Sequence, residues 1–553
     1  MKQRSIEELK ALDKDEVISL VLQLQKQNAL FAEQIASMQS RRFGRKSERL
    51  EILGQASVFN EAEAEAEKES DEPETAEAET ETVTYTRNKK KPGKLDEMLK
   101  GLPTREVTHE LTNAELTDIF GADGWKRLPD EVYRKLEYHP ATKEVLEHHV
   151  AVYAAKKEDR IVKAPHPAEL LSHSVATPSL VAAVMNAKYT NALPLYRIAQ
   201  EFERYDVKIP VPTLANWVIR CAERYLCPVV DRMHSELCGM SVIQADETVV
   251  KVSKDGRPAN AESRMFVYRS GEFERKRIIV LYDYQKTRNS EHVENYLEGF
   301  SGVLVSDAFS GYHALGKRRD DIQVANCWAH ARRDFADAIK AAKQRGGPSK
   351  QSIKKSVAYQ ALERISSIYA LEEQWKTLDP EERLARRQEH AKPLVEAYFA
   401  WAKSIDPDTV ISEKTKRGLM YSINQEEYLK VFLTDGSVPL DNSASERAIR
   451  PFCVGRANWH IIDTVKGAQA SAAVYSIVET AKANQLKPYD YLKYLLEQVC
   501  AHQDDIDHSF LDRLLPWSDN IPDSCRKQRG KPHRMLPNQG NTGREKRACL
   551  HES

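Results

Sequence analysis

The chain has 553 residues, 41% of them hydrophobic and 30% charged, with a formal net charge of −1. That length holds several domains and buries a substantial core, and no apolar run reaches the roughly eighteen residues of a membrane-spanning helix. The opening "MKQRSIEELKALDKDE" lacks the apolar stretch of a secretory signal, and the eight cysteines contain no CxxC pair, so a reducing cytoplasm is expected rather than a disulfide framework.

The near-zero charge hides an asymmetry. Residues 61–82 carry eleven acids and one lysine, and the stretch from Cys525 onward carries eight Lys or Arg against two acids. A mildly basic body with a separable acidic segment suits a nucleic-acid partner, and ordinary solvated charge explains the same counts.

In chain order, residues 1–51 come first as a helical segment. Val17, Leu24, Phe31 and Met38 fall at d positions of a heptad, with Val21, Asn28 and Ile35 at a. A single buried Asn at a fixes register in a two-stranded coil, so self-association is expected, beside the alternative of an amphipathic helix packed on its own chain. The basic "RRFGRKSERLE" closes the segment. Residues 52–98 read as an acidic and then basic linker, with too little apolar surface to fold. Residues 99–172 read as a small α+β module in which "EVLEHHVAVYAAKK" alternates like a strand. His148 and His149 there would point to opposite faces, which makes them poor joint metal ligands.

Residues 173–238 are helical in pattern. A helix near Leu195–Tyr205, a turn through "DVKIPVP" and a second helix from about Thr213 match a helix-turn-helix, whose second helix would present Thr213, Asn216, Arg220 and Arg224 to DNA. Most helical hairpins bind no DNA. From Met240 the pattern turns to strands: "MSVIQADETVVKVS", "RMFVYRS", "RKRIIVLYDYQ", then a helix, "GVLVSD", a helix, "DIQVAN" and a further helix. This β-β-β-α-β-α-β-α order is that of a ribonuclease-H-like mixed sheet, assigned to residues 239–339 and 436–466. Residues 340–435 read as a helical insertion, 467–520 as a C-terminal helical region and 521–553 as a basic tail.

Three acids stand out. Asp246 lies inside an apolar strand, where a charge is costly unless paired or bound to a metal. Asp307 ends another apolar strand, where sheet folds place ligand groups. Glu446, in "DNSASERAIRP", stands three residues after Ser443, the spacing of a capping box. Each has a local explanation: Asp246 as one of an in–out pair with Glu247, Asp307 as a turn former, Glu446 as a cap partner. In this strand order the first and fourth strands are neighbours, so Asp246 and Asp307 can reach one site, with Glu446 as the third ligand for hard divalent cations. Ser443 is then expected to cap the helix, and Pro451 to end it just after Arg450.

The motifs "ADET", "SDAFSGY", "CWAHARRDF", "LDNSASERAIRPF" and "SAAVYSIVETAKAN…PYDYLKYLLEQ…LLPW", with "FGRKSERLE" and "NALPLYRIAQEFERYDVKIPVPTLANWV", resemble the insertion-sequence-66 family of bacterial transposases over nearly the whole chain. The resemblance implies a DDE transposase on a ribonuclease-H-like core, with Asp246, Asp307 and Glu446 as catalytic residues and metal ligands. It implies two Mg²⁺ ions, with Mn²⁺ a plausible substitute. It also implies DNA partners at the element's ends and target, a homodimer or higher oligomer on DNA, companion proteins from the same element, and a bacterial cytoplasm. Hydrolysis at the element's end would free a 3′-hydroxyl, which would then attack target DNA.

His330, Arg332, Arg333, Arg447 and Arg450 are candidates for phosphate or DNA contact. His330 is equally explained by packing beside Trp328, and Arg450 by an ion pair with Glu446 four residues earlier. Family members carry paired cysteines before the helix-turn-helix, and the matching region here has none, so no zinc is expected. A nuclease or resolvase of the same fold, and a non-catalytic DNA-binding protein derived from a transposase, remain the alternative readings.

Overall fold

The computed structural model describes residues 168–258, 261–343, 350–502 and 509–527, together with 13, 145, 152–154 and 161–163. The linker and most of the expected coiled coil, the 99–172 module and the basic tail lie outside the described residues. The chain divides into two compact units: Met1–Glu72 with Pro167–Lys527, and Pro73–His166 with Gln528–Ser553. In the second, β1 (Val152–Ala154), in the stretch whose alternation predicts a strand, pairs antiparallel with β2 (Ile161–Lys163). Among the described residues, no helix is long and apolar enough to cross a membrane.

The first unit is mixed α/β, and its centre is a five-stranded mixed sheet. β3 (Val242–Val250), β5 (Ser263–Ser270) and β6 (Val280–Gln285) run antiparallel in succession, while β7 (Gly302–Ser306) and β8 (Ile322–Asn326) add in parallel on the other side of β3. The spatial order β6-β5-β3-β7-β8 is consistent with the expected ribonuclease-H-like core. β7 and β8 are short apolar runs, as parallel strands buried on both faces must be. Gly302 opens β7 at φ 147°, and a Cβ there would stand 2.3 Å from the Ser241 carbonyl oxygen, so only glycine lets the strand enter beside β3. The first predicted strand is in fact two: β4 (Val252–Lys254) leaves the sheet and pairs in parallel with β9 (Ile462–Thr464).

Helices surround this sheet. α1 (Pro178–Met185), α2 (Leu195–Glu203), α3 (Val211–Cys221) and α4 (Cys227–Cys238) precede it. α5 (Ser290–Tyr296) and α6 (Ser310–Arg318) connect its strands, and α7 (Trp328–Lys343) leaves β8. The insertion is a series of helices broken by turns, chiefly α8 (Val357–Trp375), α9 (Pro380–Arg386), α10 (Lys392–Ser404) and α11 (Glu413–Asn424). The chain then returns through α12 (Ser443–Trp459), α13 (Val465–Ala483) and α14 (Pro488–Ala501).

Two apolar clusters share the sheet. Ile243, Ala245 and Leu304 belong to one, with α1, α3, α13 and α14. Val242, Val303 and Val305 belong to the other, with Trp328, Phe335, Tyr398 and Phe399 of α7 and the insertion. Strand alternation therefore places Gln244 and Asp246 on Val242's face, toward the insertion. The outer edge of β6 is covered by α13: the backbone N–H groups of Val280 and Tyr282 donate to Thr480 Oγ1 (3.0 Å) and Ser476 Oγ (2.8 Å).

The return of the insertion is fixed by two buried arginines. Arg387, fully buried, makes a two-pronged ion pair with Glu372 (2.8 and 2.6 Å) and donates to the carbonyls of Phe432, Asp435 and Val438. Arg383 donates to Gly436 O at 2.6 Å and stacks on Phe273. Replacing Arg387 with alanine strands the Glu372 carboxylate and unties the segment that leads to Glu446. Arg387→Ala is expected to cost roughly 3–5 kcal/mol in chemical denaturation, and a loss below about 1 kcal/mol would contradict a buried pair.

Candidate active site

Asp246 is set by β3. The parallel register pairs Gln244 with Val305, so two residues further on Asp246 stands level with Asp307, directly after β7. Asp246 Oδ1 accepts from its neighbour's N–H (Glu247, 2.8 Å), and Asp307 Oδ1 accepts from the Phe309 N–H (3.1 Å) in a local turn. Glu446 comes from the first turn of α12, which packs on β3 and β5. Glu446 and Asp307 both act on Asp246. Burial first, then the charges of Glu446, Glu247 and Asp307, pushes the Asp246 carboxyl up to about 8.

Two expectations about "DNSASERAIRP" fail. The N-cap of α12 is Asn442, not Ser443, and the Ser443 N–H is taken by Asp441 Oδ1 (2.9 Å). The capping box does not form, because the flanking aspartate reaches that donor first. Instead Glu446 Oε1 lies 3.4 Å from the Arg333 guanidinium and 3.8 Å from His330 Nδ1. Nor does Pro451 end the helix, which runs on to Trp459. The proline leaves one bond unmade, and burial of Ile449 and Phe452 together with the Tyr282 hydroxyl on the Ala448 carbonyl holds the helix across it.

Asn442 is the joint between these elements. Fully buried, it donates from Nδ2 to the Ala245 carbonyl (2.7 Å) and accepts at Oδ1 from Gln244 Nε2 (3.3 Å). Its N–H donates to Cys327 Sγ (3.1 Å), and its carbonyl accepts from Glu446 N (3.2 Å). One residue thus ties the neighbour of Asp246, the start of α7 and the helix of Glu446. Asp441 is held in turn by the Tyr369 hydroxyl of α8 (3.0 Å).

The remaining candidates separate. His330 is pressed down to about 4, by burial first and then by Arg333, so at neutral pH it is an uncharged imidazole beside Glu446. Cys327, fully buried, is pushed well above the usual thiol range by burial and the Asp441 and Glu446 charges. Arg333 faces the site. Arg332 is only 5% exposed and cannot line a surface DNA path. Arg447 pairs with Glu272 (3.2 Å), and Arg450 is exposed on α12. At the helical hairpin, Asn216, Arg220 and Arg224 are exposed and Thr213 half-buried, while Leu214, Trp217 and Val218 face the core.

The structure adds residues that the sequence reading passed over. Glu247 is no polar-edge partner. Its carboxylate is buried against Arg288 and the Tyr312 hydroxyl (3.1 Å), and Arg288 stacks 3.8 Å from the Phe309 ring centroid. Gln244, Asn442 and Cys327 carry the joint. The polar pair "DN" ahead of "SASER" and the lone Gln in "VIQAD" were the available signals.

A mixed α/β protein built on a five-stranded mixed sheet, consistent with a ribonuclease-H-like core, is the class that this fold defines. The family model described as "Transposase IS66 family" matches residues 173–470, and "IS66 C-terminal element" matches 476–517. "Transposase C of IS166 homeodomain" matches residues 30–107, outside the described residues. The chain belongs to the IS66 transposase family. Similar proteins of Sinorhizobium fredii (strain NBRC 101917 / NGR234) include uncharacterized protein y4hP, 27% identical over 72% of this chain and 72% of its own length. Uncharacterized proteins y4jD (27%; 65% and 70%) and y4qI (28%; 66% and 67%) are related in the same way.

Two measurements probe this geometry. Because the folded-state value of Asp246 is raised, its contribution to stability is greatest at low pH and is lost as pH rises from 3.8 toward about 8. In chelator, Asp246→Asn is expected to remove that decline and to exceed wild-type stability near pH 8 by an amount on the order of a few kcal/mol; an unchanged pH profile contradicts it. Asn442→Ala removes the side-chain donor on the Ala245 carbonyl and one of the two acceptors of the Gln244 amide. It should cost about 1–3 kcal/mol in urea unfolding, and a variant as stable as wild type would show that the joint carries no strength.

Proposed function

We propose that this protein is a DNA transposase that cleaves phosphodiesters at the ends of its element and joins the freed 3′-hydroxyl to target DNA. What supports the reading is that Glu446 and Asp307 both act on the buried Asp246 carboxyl, beside the parallel β3–β7 pair of the mixed sheet. The donor set fits hard divalent cations: three carboxylates from separate elements, one buried and held protonated for want of a compensating charge. Asp246, Asp307 and Glu446 would hold Mg²⁺, with Mn²⁺ as substitute. When bound, such a pair of ions activates the attacking oxygen and stabilises the leaving one.

The chain's own residues do the positioning. Asn442 sets Glu446 against β3, Asp441 fixes the first turn of α12, and Arg333 presents a guanidinium to the site where a phosphate would approach. Uncharged His330 is placed to accept a hydrogen bond there. Arg447 and Arg450 flank the same helix and are proposed DNA contacts. The exposed face of α3 with Arg224 is the proposed reader of the element's terminal repeats. On this reading residues 239–339 and 436–466 form the catalytic core and 340–435 the insertion. The chain acts as an oligomer on DNA in the bacterial cytoplasm, with companion proteins from the same element.

The test is cleavage and joining of labelled element-end duplexes in Mg²⁺ or Mn²⁺. Asp246→Ala, Asp307→Ala and Glu446→Ala should each lose at least about 100-fold, since even outer partners of metal ligands are worth 10–100-fold. Full activity in Glu446→Ala sinks the assignment. Cleavage with no joined product favours a nuclease or resolvase instead.

A further inference from the structure

Cys327, His330 and Glu446 each offer a ligand atom within 4.8 Å of the others. Cys327 and His330 stand in C-x-x-H spacing across the start of α7, and Glu446 arrives from α12. Three features distinguish this group from a chance cluster. Cys327 Sγ receives two backbone N–H groups, those of Asn442 (3.1 Å) and His330, which fix the position of the sulfur. His330 Nδ1 is buried and has no hydrogen-bond partner among the described residues. Glu446 Oε1 lies 3.8 Å from that nitrogen, too far for a hydrogen bond and suited to an atom between them.

We infer that Cys327, His330 and Glu446 form a second metal site, selective for a thiophilic divalent cation of the zinc class. Sulfur and imidazole donors prefer such ions, whereas Mg²⁺ takes oxygen donors. Three protein ligands leave a fourth position open to water or substrate. Binding releases the thiol proton to solvent. The site shares Glu446 with the proposed Mg²⁺ centre and rests on that reading only for its consequence: a thiophilic ion here withdraws Glu446 and inhibits Mg²⁺-dependent cleavage. The expectation of no zinc came from the missing paired cysteines, and this site lies elsewhere, assembled by folding.

The test is titration of the full chain with Co²⁺, following thiolate-to-cobalt charge-transfer absorption. Wild type should develop the band, lose it to Zn²⁺ and keep it in excess Mg²⁺. Cys327→Ser should abolish it while keeping the fold, because serine is a favoured helix N-cap. His330→Ala, as the second variant, should weaken Co²⁺ affinity at least about tenfold. No band in wild type overturns the site, as does a band that survives Cys327→Ser, which would assign it to another cysteine. If Cys327→Ser fails to fold, an unchanged affinity in His330→Ala overturns it equally. These readouts need no DNA, so failure of strand transfer would sink the transposase reading without touching them. Where cleavage is active, Zn²⁺ inhibition should need at least about tenfold more metal in Cys327→Ser.

Discussion

Carboxylates repel, and this fold holds several of them close together. The buried side chain of Asn442 bonds β3 one residue before Asp246, while its own carbonyl begins the helix that carries Glu446. An amide is suited to this place because it both donates and accepts without adding charge. Behind it, Tyr369 grips Asp441, and Arg387 and Arg383 pin the chain between residues 432 and 438. The insertion therefore reaches the acids through a tyrosine hydroxyl and buried guanidinium groups.

The electrostatic field inside the site is uneven. Asp246 feels Glu446 before Asp307, whereas Glu247, on the opposite face of β3, feels Asp307 first among the neighbouring charges. Asp307 thus sits at the strand end where both faces can sense it. Arg288 and Tyr312 answer Glu247 on one side, and Arg333 answers Glu446 on the other. Among the described residues no such cation acts on Asp246, whose carboxyl burial pushes up to about 8.

The strand order and the neighbouring of the first and fourth strands were legible, because alternation and strand ends are local signals that the sheet then joins. The helical hairpin was legible for the same reason, its turn lying within one or two residues of the reading. The capping of α12 was not. Ser443 and Glu446 have the spacing of a capping box, but Asp441 competes for the same N–H, and nothing in the spacing says which acceptor wins. Pro451 misled because its cost is local while the compensation, Tyr282 on Ala448, comes from a distant strand. Asn442, Cys327 and Arg387 were invisible as joints, since each acquires its partners only when remote segments meet.

The hydroxyls of Ser476 and Thr480 on the rim of β6 bear on how the gene product tolerates shortening. A chain stopped near residue 470 would retain every acid discussed here, yet it would present β6 with unpaired amides along one side. Such an open border recruits other strands. A truncation at that point would on this account yield insoluble protein rather than a trimmed, soluble one. The last helices act as a hem on the sheet, and the cost of losing them falls on solubility before it falls on chemistry.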